Sequence, residues 1–311
     1  MPKYNTGVNR RKGGKFMESK GLPRMWLEAK EIFRKRKEQG EPEFSTGLDF
    51  LDNVTDGLQK GEVWIIAGHT GAGKTCLALN MAQAAAEKPE HHILFCSLEM
   101  KGWELSARLF CSINGVNYSD IRKGMFPENF NEQDKIFQEY LSRIDFEIYE
   151  WGYTFKQITE ILEKGYKKVK PDIIFIDFIQ LIEWMSFKDE RIALTEYIRK
   201  LAELAKTQNI GIVIVSQFRR LPAGAKYNRA PDLIDLKGTG ALEQLSAKVI
   251  FTYAEEESGV KKHYIHLAKN RQGPCIKKEV IFKGWMYKFE EIREDKETKD
   301  YIDNVKKTFK E

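Results

Sequence analysis

From Glu62 to Phe218 the chain alternates between short, almost unbroken apolar runs and longer segments of helical period. The runs are "EVWIIAG", "HILFCSLEM", "DFEIYEW", "DIIFIDFIQLI" and "IGIVIVSQF". Between them lie "KTCLALNMAQAAAE", "GWELSARLFCSI", "TFKQITEILEKGYKKV" and "ERIALTEYIRKLAELAKTQN". A strand apolar at every position must be covered on both faces, and parallel neighbours require long crossovers, usually helical. This pattern predicts an α/β fold, a mainly parallel central sheet flanked by helices. After "AKVIFTYAEEE" it changes to short strands with close turns, "KHYIHLAKN", "KKEVIFKG" and "WMYKFEE", expected as antiparallel strands at one edge.

Upstream, "RMWLEAKEIFRKRKEQGE" places Met25, Trp26, Ala29, Ile32 and Phe33 on one helical stripe, closed by Gly40. That stripe must be buried on the chain's own core or on another subunit. The expected organisation is a basic, aperiodic tail over 1–23, which includes Arg10, Arg11 and Lys12, then a linker helix over 24–43. The main domain follows over 44–290, with a charged tail or helix over 291–311.

A chain of 311 residues with 42% hydrophobic and 31% charged residues has room for a large core. A net charge of +5 permits nucleic-acid binding without demanding it. Cys76, Cys96, Cys111 and Cys275 form no CxxC pair, and His91, His92, His263 and His266 lack metal-ligand spacing, so disulfide and zinc chemistry are disfavoured. No apolar run has membrane length and no signal-peptide core is present, which makes the cytoplasm the expected location.

"GHTGAGKT", Gly68 to Thr75, fits G-x-x-x-x-G-K-T between a strand and a helix. Glycines let the backbone curl so that N–H groups face phosphate oxygens at a helix N-terminus. Gly68, His69, Thr70, Gly71, Ala72, Gly73, Lys74, Thr75 and Cys76 are therefore the candidate nucleotide-binding residues, with ATP and Mg²⁺ as expected cofactors. Lys74 would hold the β- and γ-phosphates and Thr75 the Mg²⁺. Asp177 ends the apolar strand of "DIIFIDFIQLI", where burial of a carboxylate is costly unless it is paired, and a metal shared with Thr75 is a natural partner. Glu99 in "SLEM" is placed to polarise an attacking water, and Gln217 in "VSQF" to sense the γ-phosphate.

In "YIHLAKNRQGP", Lys269 and Arg271 stand two apart on an extended segment and so point the same way, before Gly273 and Pro274 stop the strand. On residue types alone, two solvated cations and an anion-binding pair both fit.

Taken in order, the phosphate loop, "SLEM", "IDFIQL", "VSQFRR", "DLKGTGALEQLSAKVIF" and "AKNRQGP" resemble the motor domain of DnaB-type replicative DNA helicases. The resemblance covers about Ser45 to Phe289 and includes the opening segment "STGLDFLDNVTDGLQKGE"; RecA-type recombinases and KaiC-like ATPases share the loop and the general fold. It implies a RecA-like P-loop NTPase fold and a hexameric ring on single-stranded DNA. It also implies 5′→3′ unwinding driven by ATP, with a primase or helicase loader as partner. In the family, a Lys and an Arg two apart reach the γ-phosphate held by the neighbouring subunit, which places those roles on Lys269 and Arg271.

The family's DNA loop reads D-L-R-E-S-G, where this chain has Asp235-Leu236-Lys237-Gly238-Thr239-Gly240. Lysine and glycine N–H groups can still hold phosphates, although the bidentate grip of arginine is gone. Lys237, Gly238, Thr239, Gly240 and Arg220 are the candidate DNA contacts. Arg219, Lys226 and Arg229 lie in the same basic loop, and Trp184 and Phe187 are read as packing residues. About 43 residues precede the motor, too few for the family's helical N-terminal domain, and the 24–43 helix matches the linker that docks on an adjacent subunit. The rival readings are a RecA- or KaiC-like ATPase without unwinding activity and a DNA-binding accessory protein.

Overall fold

The computed structural model describes residues 21–150, 169–179, 190–218, 230–236, 240–257 and 260–292. Contacts divide the chain into residues 1–41 and 42–311. In the first unit a single helix, α1 (Leu22–Gln39), replaces the expected 24–43 span and leaves Leu22, Trp26, Leu27 and Phe33 more than half exposed. Pro23 lies in the first turn of the helix, where its missing N–H costs nothing.

The second unit is built on a nine-stranded sheet in the order β3-β2-β4-β5-β1-β6-β7-β8-β9. The strands are β1 (Val63–Gly68), β2 (His92–Ser97), β3 (Asp145–Glu150), β4 (Ile173–Asp177), β5 (Gly211–Gln217), β6 (Lys248–Glu257), β7 (Val260–Asn270), β8 (Ile276–Lys283) and β9 (Lys288–Glu291). The first six in sheet order run parallel, and β7, β8 and β9 are antiparallel at the edge.

Alternate residues feed two cores. Trp64, Ile66, Phe95, Phe175, Val213 and Val215 face helix α3 (Lys74–Ala85), and Phe95 stacks on Phe175 at 5.8 Å. Ile65, Ala67, Ile174, Ile176, Ile212 and Ile214 face the long helix α7 (Glu190–Gln208) through Leu194, Ile198, Leu201 and Leu204. The low amphipathicity of "KTCLALNMAQAA" follows from its burial on most sides.

Between β2 and β3 the chain forms α4 (Gly102–Asn114) and two helices that strand-and-helix periodicity did not predict, α5 (Tyr118–Arg122) and α6 (Phe130–Leu141). They enclose a satellite core in which Phe110 meets Phe137 edge-on at 5.3 Å. The "STGLDFLD" segment closes on Asp52 of α2 (Asp49–Thr55). Its carboxylate accepts from the Ser45 hydroxyl (2.6 Å), the Thr46 hydroxyl (2.7 Å) and the Thr46 N–H (2.9 Å). The helix expected over "TFKQITEILEKGYKKV" and the tails at 1–20 and 293–311 lie outside the described residues. Among the described residues no helix is long and apolar enough to cross a membrane.

Candidate nucleotide site

The C-terminal ends of β2, β4, β5 and β1 stand side by side and each delivers one predicted residue. Ser97 is in register with Asp177, and Glu99 follows two residues later; Gly68 is in register with Gln217. The Leu98 N–H donates to the Asp177 carbonyl (2.7 Å), which ties the Glu99 turn to β4. Open α/β sheets bind ligands at this carboxyl edge.

The loop from Gly68 to Thr75 curls because Gly71 and Gly73 adopt φ of 77° and 87°, conformations that side chains disfavour. A Cβ on Gly73 would fall 2.8 Å from the Phe289 ring, and one on Gly68 would fall 2.4 Å from the Thr252 carbonyl oxygen. The inner strand β6 and the edge strand β9 thus close against the loop. Gly73 caps α3, so the first N–H groups of that helix face the cleft.

The cleft has a volume of about 600 Å³, within the range that holds a nucleotide, and is lined by the loop, Glu99, Asp177 and Gln217. Lys74 is buried, and its ammonium donates to the His69 carbonyl (2.8 Å). Burial holds its pKa below the usual lysine value, while Asp177 and Glu99 pull it back up.

Asp177 is 1% exposed, and neither carboxylate oxygen has a hydrogen-bond partner of good geometry. Burial raises its pKa to about 6 and Glu99 adds to the rise; the Thr75 hydroxyl, Lys74 and Arg108 act in the opposite direction. A buried, unsatisfied carboxylate beside a hydroxyl is an oxygen-donor set suited to a small hard divalent cation. Cys76 and Cys96 are held protonated by burial, so thiol chemistry has no place here.

Arg108 of α4 escaped sequence reading. Its guanidinium lies over the ring of Tyr287 (4.2 Å) and that of Tyr118 (5.2 Å), lines the cleft, and donates to the Met100 sulfur. Its Nε is buried without a hydrogen-bond partner. A cation held against aromatic rings at the phosphate cleft is a ready contact for an anionic ligand; nothing in "ELSARLF" distinguishes it from an ordinary helix-surface arginine.

Lys269 and Arg271 are not in this cleft. Lys269 pairs with Val249 near the start of β6, whereas Thr252, beside the loop, sits about 10 Å further along that strand. The Lys269 ammonium donates to the carbonyls of Glu243 and Ser246 (2.9 Å to the latter), and the Arg271 guanidinium donates to the Gln244 carbonyl. Both cations therefore cap the C-terminal end of the short helix α8 (Gly240–Leu245), which is favourable against its dipole. Gly240 begins α8, directly after the loop named above; Lys237, Gly238, Thr239 and Arg220 lie outside the described residues, as do Trp184 and Phe187.

The strand order, the glycine loop and the carboxylate opposite it define a phosphate-loop nucleotide-binding domain of RecA-like fold. The family model for the DnaB-like helicase C-terminal domain matches residues 44–291, and the chain belongs to that family. The replicative DNA helicase DnaB of Pasteurella multocida is 27% identical over 268 residues, covering 82% of this chain and 57% of the relative. That of Treponema pallidum is 30% identical over 251 residues, covering 79% and 55%. The chain thus spans little more than half the length of these curated relatives. Among solved structures, the ATPase domain of G40P superposes with a TM-score of 0.77 at 20% identity, covering 89% of this chain and 100% of that one. A DnaB-like replicative helicase studied with primase superposes with a TM-score of 0.72 at 23% identity, covering 80% and 63%. These two likenesses bear on the fold, and they agree with the α/β class expected from the sequence.

Proposed function

We propose that this chain is the motor of a ring-shaped, ATP-dependent replicative DNA helicase, one that moves 5′→3′ on single-stranded DNA and separates the duplex ahead of it. Lys74 and the loop N–H groups hold the triphosphate, and Thr75 and Asp177 would hold Mg²⁺. When bound, that ion would supply charge neutralisation on the triphosphate. Glu99, at the open mouth of the cleft, orients and polarises the attacking water. Gln217, one strand from the loop, hydrogen-bonds the γ-phosphate and registers its loss.

The observation that carries this reading is the position of Lys269 and Arg271, at the end of the sheet away from their own chain's phosphate loop. A cation pair there is placed to serve the nucleotide of an adjacent subunit. Phosphoryl transfer requires positive charge at the equatorial oxygens, and such an arginine is worth roughly 10³–10⁵ in rate. The exposed apolar stripe of α1 suits a helix that docks on a neighbour, in line with a homo-hexameric ring. Lys237 to Gly240 and Arg220 are the proposed strand contacts, and a primase or a loader is the proposed protein partner.

The test is Arg271→Ala. Nucleotide binding should persist while DNA-stimulated hydrolysis collapses, and forked-duplex unwinding should go with it. Full turnover by that variant, or by wild-type chains diluted to monomers, would overturn the shared-site reading.

A further inference from the structure

Lys248 opens β6 with its side chain fully buried, at 0% exposure. Its ammonium donates to Glu62 Oε2 (2.7 Å) and to Gln272 Oε1 (2.5 Å). Gln272 returns its amide N–H to Glu62 Oε1 (2.5 Å), the Trp64 indole N–H donates to Glu62 Oε2 (2.9 Å), and the Trp64 ring faces the ammonium at 4.9 Å. Taking an ion pair out of water costs several kcal/mol per ion, and apolar residues often fill such space at no loss of stability. Stability is therefore a poor reason for this network. Geometry offers a better one.

The network joins three separate segments: the approach to β1, the start of β6 and the loop after β7. That loop carries Arg271. Its own N–H donates to the carbonyl of Ala247, the residue before Lys248 (3.1 Å), and Gln272 is its chain neighbour. On the other side, Asn270 donates to the carbonyls of Val54 (3.0 Å) and Pro274 (3.1 Å). The backbone on both sides of Arg271 is thus pinned, while its side chain rests on a solvent-facing helix end.

We infer that Glu62, Lys248 and Gln272 are positioning residues that fix the loop presenting Arg271 to the adjoining subunit's triphosphate. The inference rests on the shared-site reading above. None of the three borders the nucleotide cleft, so they act through Arg271. Holding a catalytic group within a fraction of an ångström matters because a shift near 1 Å can cost about 100-fold in rate.

The decisive variant is Gln272→Ala in the full chain, assayed with Mg²⁺ and ATP. Gln272 is exposed, so the fold tolerates its loss. The expected result is a kcat roughly 10- to 100-fold lower, with KM and nucleotide affinity unchanged and only a small fall in Tm, since Glu62 still holds the Lys248 ammonium. In an Arg271→Ala background the same substitution should add nothing, because two changes acting through one group do not add. Exchanging the pair, Glu62→Gln with Gln272→Glu, keeps one carboxylate and one amide around the ammonium and should restore turnover. If Gln272→Ala turns over normally while Arg271→Ala is dead, the positioning role is wrong and the shared site stands. Losses that multiply with those of Arg271→Ala, or that disappear when the assay is cooled well below the variant's Tm, also overturn it. If Arg271→Ala itself is active, the shared-site reading fails and the inference falls with it.

Discussion

The Thr252 hydroxyl on β6 donates to the Ala72 carbonyl in the phosphate loop, 2.7 Å away, and Thr252 is fully buried. One strand over from β1, it holds the loop in the curl that turns its N–H groups toward the cleft. Thr252→Val keeps the shape and removes the donor, leaving a carbonyl without its partner. The expected cost is about 1–2 kcal/mol in chemical denaturation, with weaker nucleotide binding by fluorescence titration. Gly68→Ala should do worse, because its Cβ would collide with the Thr252 carbonyl oxygen, a backbone atom that cannot swing aside. Unchanged affinity in both variants would mean that β6 does not shape the loop.

A site shared between subunits predicts complementation. Lys74→Ala chains lose their own triphosphate site but keep Arg271, and Arg271→Ala chains do the reverse. Each should be nearly inactive alone. On mixing, seams that pair an intact loop with an intact arginine should recover a measurable part of phosphate release. A mixture as inactive as its components would count against a site shared between neighbouring chains.

The sheet was legible because its strands leave little choice. "IIFID" and "GIVIVS" are apolar on both faces and can sit nowhere but in a covered parallel sheet. Glu99, Asp177 and Gln217 were legible for a related reason, as polar residues following such runs must emerge at the sheet's carboxyl edge, and Lys74 through the spacing of its glycine loop. Helices α5 and α6 were not. "YSDIR" and "FNEQDKIFQEYL" bury Tyr118 and Phe137 in a satellite core, too sparse a pattern to read by period. "WMYKFEE" reads as one strand, but Gly284–Met286 form a 3₁₀ turn and Tyr287 takes φ 54° before β9 begins. Arg108 was invisible because its partners Tyr118 and Tyr287 come from a helix it neighbours and from the far end of the chain.

Arg108 therefore provides an independent prediction. With its guanidinium over the Tyr287 ring and near that of Tyr118 at the cleft, Arg108→Ala loses both the cation–π contact and a positive charge near Asp177. A cation–π contact of this kind contributes roughly 0.5–2 kcal/mol. Nucleotide affinity by calorimetry should fall several-fold, and Arg108→Lys should rescue little, since an ammonium lacks the planar face that a guanidinium lays on the Tyr287 ring. Full rescue by lysine would reduce its role to charge alone.

Asp177 gives the pH dependence its sign. Its folded-state pKa of about 6 lies above the ordinary carboxylate value of 3.8, chiefly through burial. The metal- and nucleotide-free fold therefore binds a proton more tightly than the unfolded chain. Below about pH 4 the two states are equally protonated and the penalty is absent. As pH rises through 6 the buried charge appears and destabilises the fold, by on the order of 3 kcal/mol at full extent. Asp177→Asn should therefore raise the Tm of the free protein fully at pH 7.5 and by only about a third as much at pH 4.5, as read by thermal melts in chelator. The same substitution should abolish the gain in Tm that Mg²⁺ with ATP gives the wild type at pH 7.5, because an amide cannot replace the carboxylate as a charged ligand. A variant no more stable than wild type at pH 7.5 would mean that the carboxylate already has a partner that satisfies it.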